Sequence, residues 1–201
     1  MTRAAAVPIG TAQPGTLLIR RARRDELALL CLLRLRRTRW LVARGEDQWT
    51  TAGRGLDIEA FAGAVGRAIE RGHTWVAELG GEVAGTITVD RRADRHLWSP
   101  AELAEAVIVH FMIVDAAFAG RRIGHRLLAH AATLARGDGL DWVRLDAWTT
   151  NRALHAYYRN AGFRLARIAG PATLGPSCAL FERRVDTWPS ALPALRRPAI
   201  G

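Results

Sequence analysis

The sequence predicts an α+β fold, a central mixed sheet flanked by helices, and two observations carry that prediction. In the first half, two β-rich runs flank Gly80-Gly81-Glu82, the signature of an antiparallel hairpin. In the second half, β-branched apolar runs alternate with helix-periodic ones, the order that covers a sheet with helices.

The elements follow in order. Met1 to Pro14 reads as a flexible tail and residues 15–185 as a single domain, a length that supports one core but is short for two domains. Thr16 to Arg20 is a first strand, and Asp25 opens an apolar-periodic helix reaching Val42. A second helix, Ile58 to Arg71, follows a glycine-containing break, and the hairpin strands are His73 to Leu79 and Val83 to Val89. A polar stretch through Arg91, Arg92, Asp94 and Arg95 leads to Glu105 and the run Ala106 to Val114, whose β-branched residues predict a buried strand. A glycine turn then enters a helix from Arg122 to Arg136, with Leu127, Leu128, Ala131 and Leu134 on its buried stripe. Trp142 to Trp148 is a strand, Asn151 to Ala161 a short helix, and Phe163 to Ile168 and Ala179 to Val185 the last two strands. Asp186 to Gly201, with Pro189, Pro193 and Pro198, reads as a second tail.

Composition excludes several classes. The chain is 49% hydrophobic and 24% charged, ordinary for a globular protein and unlike a disordered one. Its net charge of +10 comes from 29 arginines, because the sequence has no lysine. With abundant alanine, glycine and leucine this suggests a GC-rich bacterial genome, so the charge speaks to solubility and anion attraction more than to a nucleic-acid partner. Cys31 and Cys178 lack metal or redox spacing, which fits a reducing cytoplasm. The longest apolar run near the start, Leu27 to Leu33, is too short to span a bilayer, so no membrane association is expected. The scattered histidines predict no metal site, and there is no serine nucleophile elbow.

The chemistry concentrates in His110 to Leu128. The strand ends at Val114, and a loop containing Phe118, Ala119, Gly120, Arg121 and Arg122 runs into Ile123-Gly124 and a helix. A helix N-terminus offers unpaired amides and a partial positive charge, and glycine lets a phosphate approach the backbone. Arg121, Arg122 and His125 would add to the attraction for a diphosphate. By itself such a turn is a weak signal, because many strand-to-helix turns need glycine only for positive φ.

A second segment narrows the choice. Asn151, Ala153, Leu154, Tyr158, Gly162 and Phe163 form the pattern asparagine, short helix, tyrosine, Gly-Phe, and together with the loop they resemble the GNAT family of N-acetyltransferases. The resemblance covers Thr16 to Val185. Gly120 and Gly124 stand where the common Arg-Gly-x-Gly-Ile-Gly loop has glycines, while Ala119 replaces its leading Arg or Gln and Arg122 its first glycine of the shorter form. The family implies a mostly antiparallel sheet whose fourth and fifth strands splay apart, with acetyl-CoA bound at the splay. By resemblance, backbone groups of Met112, Ile113 and Val114 bind the pantetheine arm. Ala119, Gly120, Arg121, Arg122, Ile123, Gly124 and His125 form the pyrophosphate loop, with any side chain at 122 turned away from the ligand. Asn151 contacts the cofactor, and the Tyr158 hydroxyl protonates the departing thiolate, in contrast to Tyr157, read as an aromatic staple.

An amine nucleophile must also lose a proton. His110 is the candidate base, supported by the strand histidine of serotonin N-acetyltransferase-like members; the competing reading is a core histidine satisfied by a backbone carbonyl. Glu105 is the second choice, since the family's frequent strand glutamate falls at Ile108, and His130 reads as structural. Trp40, Asp47, Trp49, Asp146 and Trp148 are the candidate acceptor residues. The expected activity is direct acetyl transfer from acetyl-CoA to a primary amine of a small molecule in a ternary complex. Another acyl-CoA donor, a protein or specialised-metabolite acceptor, or a weakly active binding module of the same fold are the alternatives, and a homodimer is left open.

Overall fold

The computed structural model describes residues 16–50, 55–93, 96–170 and 176–189; the first tail, most of the second, and Asp94 and Arg95 lie outside them. The elements are β1 (Leu17–Arg21), α1 (Leu27–Val42), α2 (Ile58–Glu70), β2 (Thr74–Leu79), β3 (Glu82–Asp90), α3 (Pro100–Ala104), β4 (Ala106–Val114), α4 (Ile123–Gly137), β5 (Trp142–Ala147), α5 (Arg152–Asn160), β6 (Arg164–Ile168) and β7 (Ala179–Arg184). Seven strands form one sheet in the order β1-β2-β3-β4-β5-β7-β6. Every neighbouring pair is antiparallel except β4 and β5, which run parallel.

The register explains the splay. β4 and β5 pair from Ala106 with Trp142 to Val109 with Leu145 and then stop, while β4 continues to Val114 along β3. On β3, Thr86 faces Ile113 and Thr88 faces His110, so β4 carries one extra residue there. Such a bulge bends its strand and re-aims side chains. Phe111 takes it up at φ 49°, a left-handed conformation uncommon for a bulky residue. Gly85 is required opposite the distortion, since a Cβ on it would lie 2.8 Å from the Ile113 carbonyl oxygen.

Period 2 along the strands and period 3.6 along the helices put apolar side chains on both faces of the sheet. On one face Leu127, Leu128 and Ala131 of α4 pack with Val107, Val109, Val143 and Leu145. On the other, Leu30 and Leu33 of α1 and Phe61 and Val65 of α2 pack with Val76 and Ile113. Full burial of each large apolar side chain contributes about 1.5–3 kcal/mol, so these two layers dominate the fold's stability. The buried Arg144 on β5 meets Glu182 of β7 at 3.0 Å, and Arg164 of β6 reaches the other oxygen of the same carboxylate.

Two expectations need correction. The polar stretch before Glu105 contains α3, started by Ser99, whose hydroxyl accepts from the Glu102 amide while the Glu102 carboxylate accepts from the Ser99 amide. With Pro100 in the first turn this is a complete capping box, short enough to escape a search for periodicity. The second tail does not begin at Asp186, because Trp188 folds back into the core against Phe163, its ring centroids 6.0 Å away.

Candidate active site

The splay opens into a cavity of about 1020 Å³, walled by the end of β4, the loop and first turn of α4, the end of β5, α5 and the inner side of α1. Met112, Ile113 and Val114 line it where β4 leaves β5, as do Ala119, Gly120, Arg122, Ile123, Gly124 and His125. Arg121 is exposed and lies outside that wall.

The loop is built to expose amides. Gly120 at φ 77° and Arg122 at φ 55° both adopt left-handed backbone, and Arg122 is the N-cap of α4. The amides of Arg122, Ile123, Gly124 and His125 have no acceptor among the described residues. Successive free amides at a helix start form an anion-binding concavity. The arginine at 122 therefore holds the conformation a glycine would, at a cost of about 1–2 kcal/mol, and the residue forms part of the cavity wall.

His110 meets a backbone carbonyl and also stands on the cavity wall. Its Nε2 lies 2.7 Å from the Arg92 carbonyl oxygen and 3.3 Å from Asp90 Oδ1, and its ring lines the cavity. A carbonyl oxygen only accepts, so Nε2 carries the hydrogen and the neutral ring keeps its lone pair on Nδ1. Burial would lower the imidazole pKa, but the hydrogen bond and charge of Asp90, helped by Asp146 on β5, raise it above the ordinary histidine value. Asp90 follows from the register: Thr88 faces His110 and Asp90 faces Ile108, so Asp90 and His110 are diagonal neighbours on one face.

Glu105 is the C-cap of α3, exposed and away from the cavity. At about 3.3 Å per residue it sits roughly 16 Å along β4 from His110, too far to serve as base. Ile108, where the family glutamate falls, is fully buried with Trp98 and Leu180. His130 packs on Trp75 with ring centroids 4.2 Å apart, consistent with a structural role.

Tyr158 lines the cavity while its ring packs against Phe163 and Phe181. Burial raises its pKa above the ordinary phenol value, and its hydroxyl has no hydrogen-bond partner among the described residues. Asn151 caps α5 by accepting from the Leu154 amide and donates to Gln48 Oε1 at 2.8 Å, so both ends of its amide are in use within the fold. Tyr157, read as a staple, also reaches the cavity: its hydroxyl stands 3.4 Å from His125 Nδ1 and fills the space left by the missing Cβ of Gly124. Burial pushes its pKa to about 12.

Of the acceptor candidates, Trp40, Trp49, Asp146 and Trp148 line the cavity. Asp47 does not; its Oδ1 accepts from Trp148 Nε1 at 3.0 Å and from the Thr150 hydroxyl at 2.7 Å, tying the chain after α1 to the end of β5. Sequence reasoning missed Arg34, Phe61, Asp90 and Phe111. No local motif marks them, and only the sheet register and the crossing of α1 and α2 bring them to the site.

A family model described as an acetyltransferase (GNAT) domain matches residues 70–165, which include β4, the loop and α5. The uncharacterized N-acetyltransferase YesJ of Bacillus subtilis is 32% identical over 134 residues, covering 65% of this chain and 72% of that protein. The chain belongs to the GNAT family of acetyltransferases. Solved GNAT structures share its fold. One from Listeria monocytogenes superimposes with a TM-score of 0.67 at 23% identity, over 84% of this chain and 94% of that one. The structure of yncA from Salmonella typhimurium with its cofactor acetyl-CoA gives 0.57 at 17% identity, over 88% and 98%. The PaiA N-acetyltransferase of Thermoplasma acidophilum in complex with coenzyme A gives 0.58 at 17% identity, over 84% and 99%.

Among the described residues of this GNAT chain no helix is long and apolar enough to cross a membrane, and no group of three or more His, Cys, Asp or Glu could hold a metal ion.

Proposed function

We propose that this GNAT acetyltransferase moves an acetyl group from acetyl-CoA to a primary amine of a small molecule, by direct attack within a ternary complex. The observation that carries this reading is a single cavity at the splay that joins unpaired amides at the start of α4 to His110 on one wall and Tyr158 on another.

Bound acetyl-CoA supplies an activated thioester carbonyl. The α4 amides and Arg122 suit its pyrophosphate, and the end of β4 suits its pantetheine arm. His110, held through Nε2 by Asp90 and Arg92, takes the amine proton on Nδ1. As the new C–N bond forms and the C–S bond breaks, Tyr158 passes its proton to the departing sulfur. Proton and electron pairs balance when Tyr158 and His110 then return to their starting states through solvent.

Tyr158→Phe is expected to lower kcat by about a hundredfold or more, the typical contribution of a positioned acid, with acetyl-CoA affinity nearly intact. Steady-state kinetics alongside calorimetry with CoA check this. Unchanged turnover would remove Tyr158 from the mechanism.

A further inference from the structure

Arg34 projects from α1 into the splay cavity and is only 5% exposed. Its bonded partners are neutral: the Thr38 hydroxyl and, at 3.2 Å, the Leu56 carbonyl oxygen. Its guanidinium carbon stands 3.5 Å from the Trp49 ring centroid and 5.7 Å from that of Phe61. Among the described residues no carboxylate lies within ion-pair distance of it.

That arrangement is costly unless something completes it. Buried charges are normally paired, because removal from water is repaid only by a counter-charge and hydrogen bonds. Among the described residues the other buried arginine, Arg144, obeys this rule by meeting Glu182. Burial lowers the Arg34 pKa to about 10, which still leaves it charged at neutral pH. Its two hydrogen bonds use two of five N–H donors, and a planar guanidinium with free donors matches a carboxylate bidentately.

The cavity also links Arg34 to the reacting end. Phe61 meets Phe111 edge-on at 5.4 Å, and Phe111 lies 5.9 Å from the His110 ring. Arg34, two phenylalanine rings and His110 therefore form one continuous surface, cationic at one end, apolar in the middle and basic at the other.

We infer that the acceptor is an amine that also carries a carboxylate, with Arg34 holding the carboxylate, Phe61 and Phe111 supporting an apolar body, and His110 receiving the amine proton. This rests on the amine-acetylation reading above, and the test separates the two. Matched probes differ only in the carboxylate: phenylalanine against 2-phenylethylamine as acceptors, and N-acetylphenylalanine against N-acetyl-2-phenylethylamine as ligands of the CoA-loaded protein.

The carboxylate-bearing ligand is expected to bind about ten- to hundredfold more tightly, the range of a hydrogen-bonded charge pair, and the carboxylate-bearing acceptor to have a correspondingly higher kcat/KM. Both ratios should fall towards one in Arg34→Gln and be partly kept in Arg34→Lys, with CoA affinity reporting that each variant is folded. Discrimination in binding with neither amine acetylated would uphold the carboxylate site and overturn the amine-acetylation reading. Equal affinity in the unmodified protein, no binding of either ligand, or an equal loss for both in Arg34→Gln would overturn the carboxylate site.

Discussion

Asp90 and His110 show how one cross-strand contact can shift the pKa of a histidine. The imidazole is neutral, and able to accept a proton, only above its pKa, which Asp90 raises. The rate should therefore climb with pH through a limb lying above the ordinary histidine value. In Asp90→Asn the burial penalty is left opposed only by weaker partners, so the pKa falls and the limb moves to lower pH. The plateau should fall as well, by up to about a hundredfold, because the ring loses the partner that fixes its tautomer. A kcat/KM profile across pH checks both movements, and a limb that stays in place would exclude His110 as the base. Histidine and tyrosine could be singled out from the sequence because each follows a recognisable run. Asp90 could not, because its relation to His110 depends on the pairing of β3 with β4 just before the bulge. Arg34 was hidden among neighbours of the same type on α1, and only burial separates it from Arg36 and Arg39.

The pairing of strands is where the element scale enters. β4 matches the sequence expectation from Ala106 to Val114, since an uninterrupted apolar run between turn residues has few alternatives. The bulge inside it was not legible: Phe111 is not a residue type that announces positive φ, and the extra residue shows only against its partner. Gly85 tests the arrangement. Adding a methyl group there drives a Cβ into the Ile113 carbonyl oxygen, and neither strand is free to retreat. Gly85→Ala should destabilise the protein by about 1–3 kcal/mol, the usual cost of overpacking, seen as a lower denaturation midpoint. It should also raise KM for acetyl-CoA, because Ile113 lines the cavity. The short helix α3 escaped for the opposite reason, with a clear cap but too few residues to show a period.

For the molecule as a whole, the charge of +10 has a site-level meaning once the cavity is known. Arg34, Arg37, Arg44 and Arg122 all line it, so a polyanionic donor meets a field that grows towards the site. The association rate of acetyl-CoA should fall severalfold between 50 mM and 300 mM salt, because the screening length shrinks from about 14 Å to about 6 Å over that range. Stopped-flow binding measures this, and a rate indifferent to salt would show that the arginines do not steer. The overall architecture was readable from the order of runs and the two motifs, each local in sequence. What α1 and α2 contribute to the cavity was not, because helix crossing leaves no mark on spacing.

Trp49 lies beneath the Arg34 guanidinium, and Trp40 between those of Arg37 and Arg44, all on the wall of the same cavity. An indole's emission responds to the charge and solvent beside it, so the protein carries its own optical reporters, with Trp49 at the end assigned to the acceptor. The two halves of the proposed ternary complex can then be followed separately without attaching a dye.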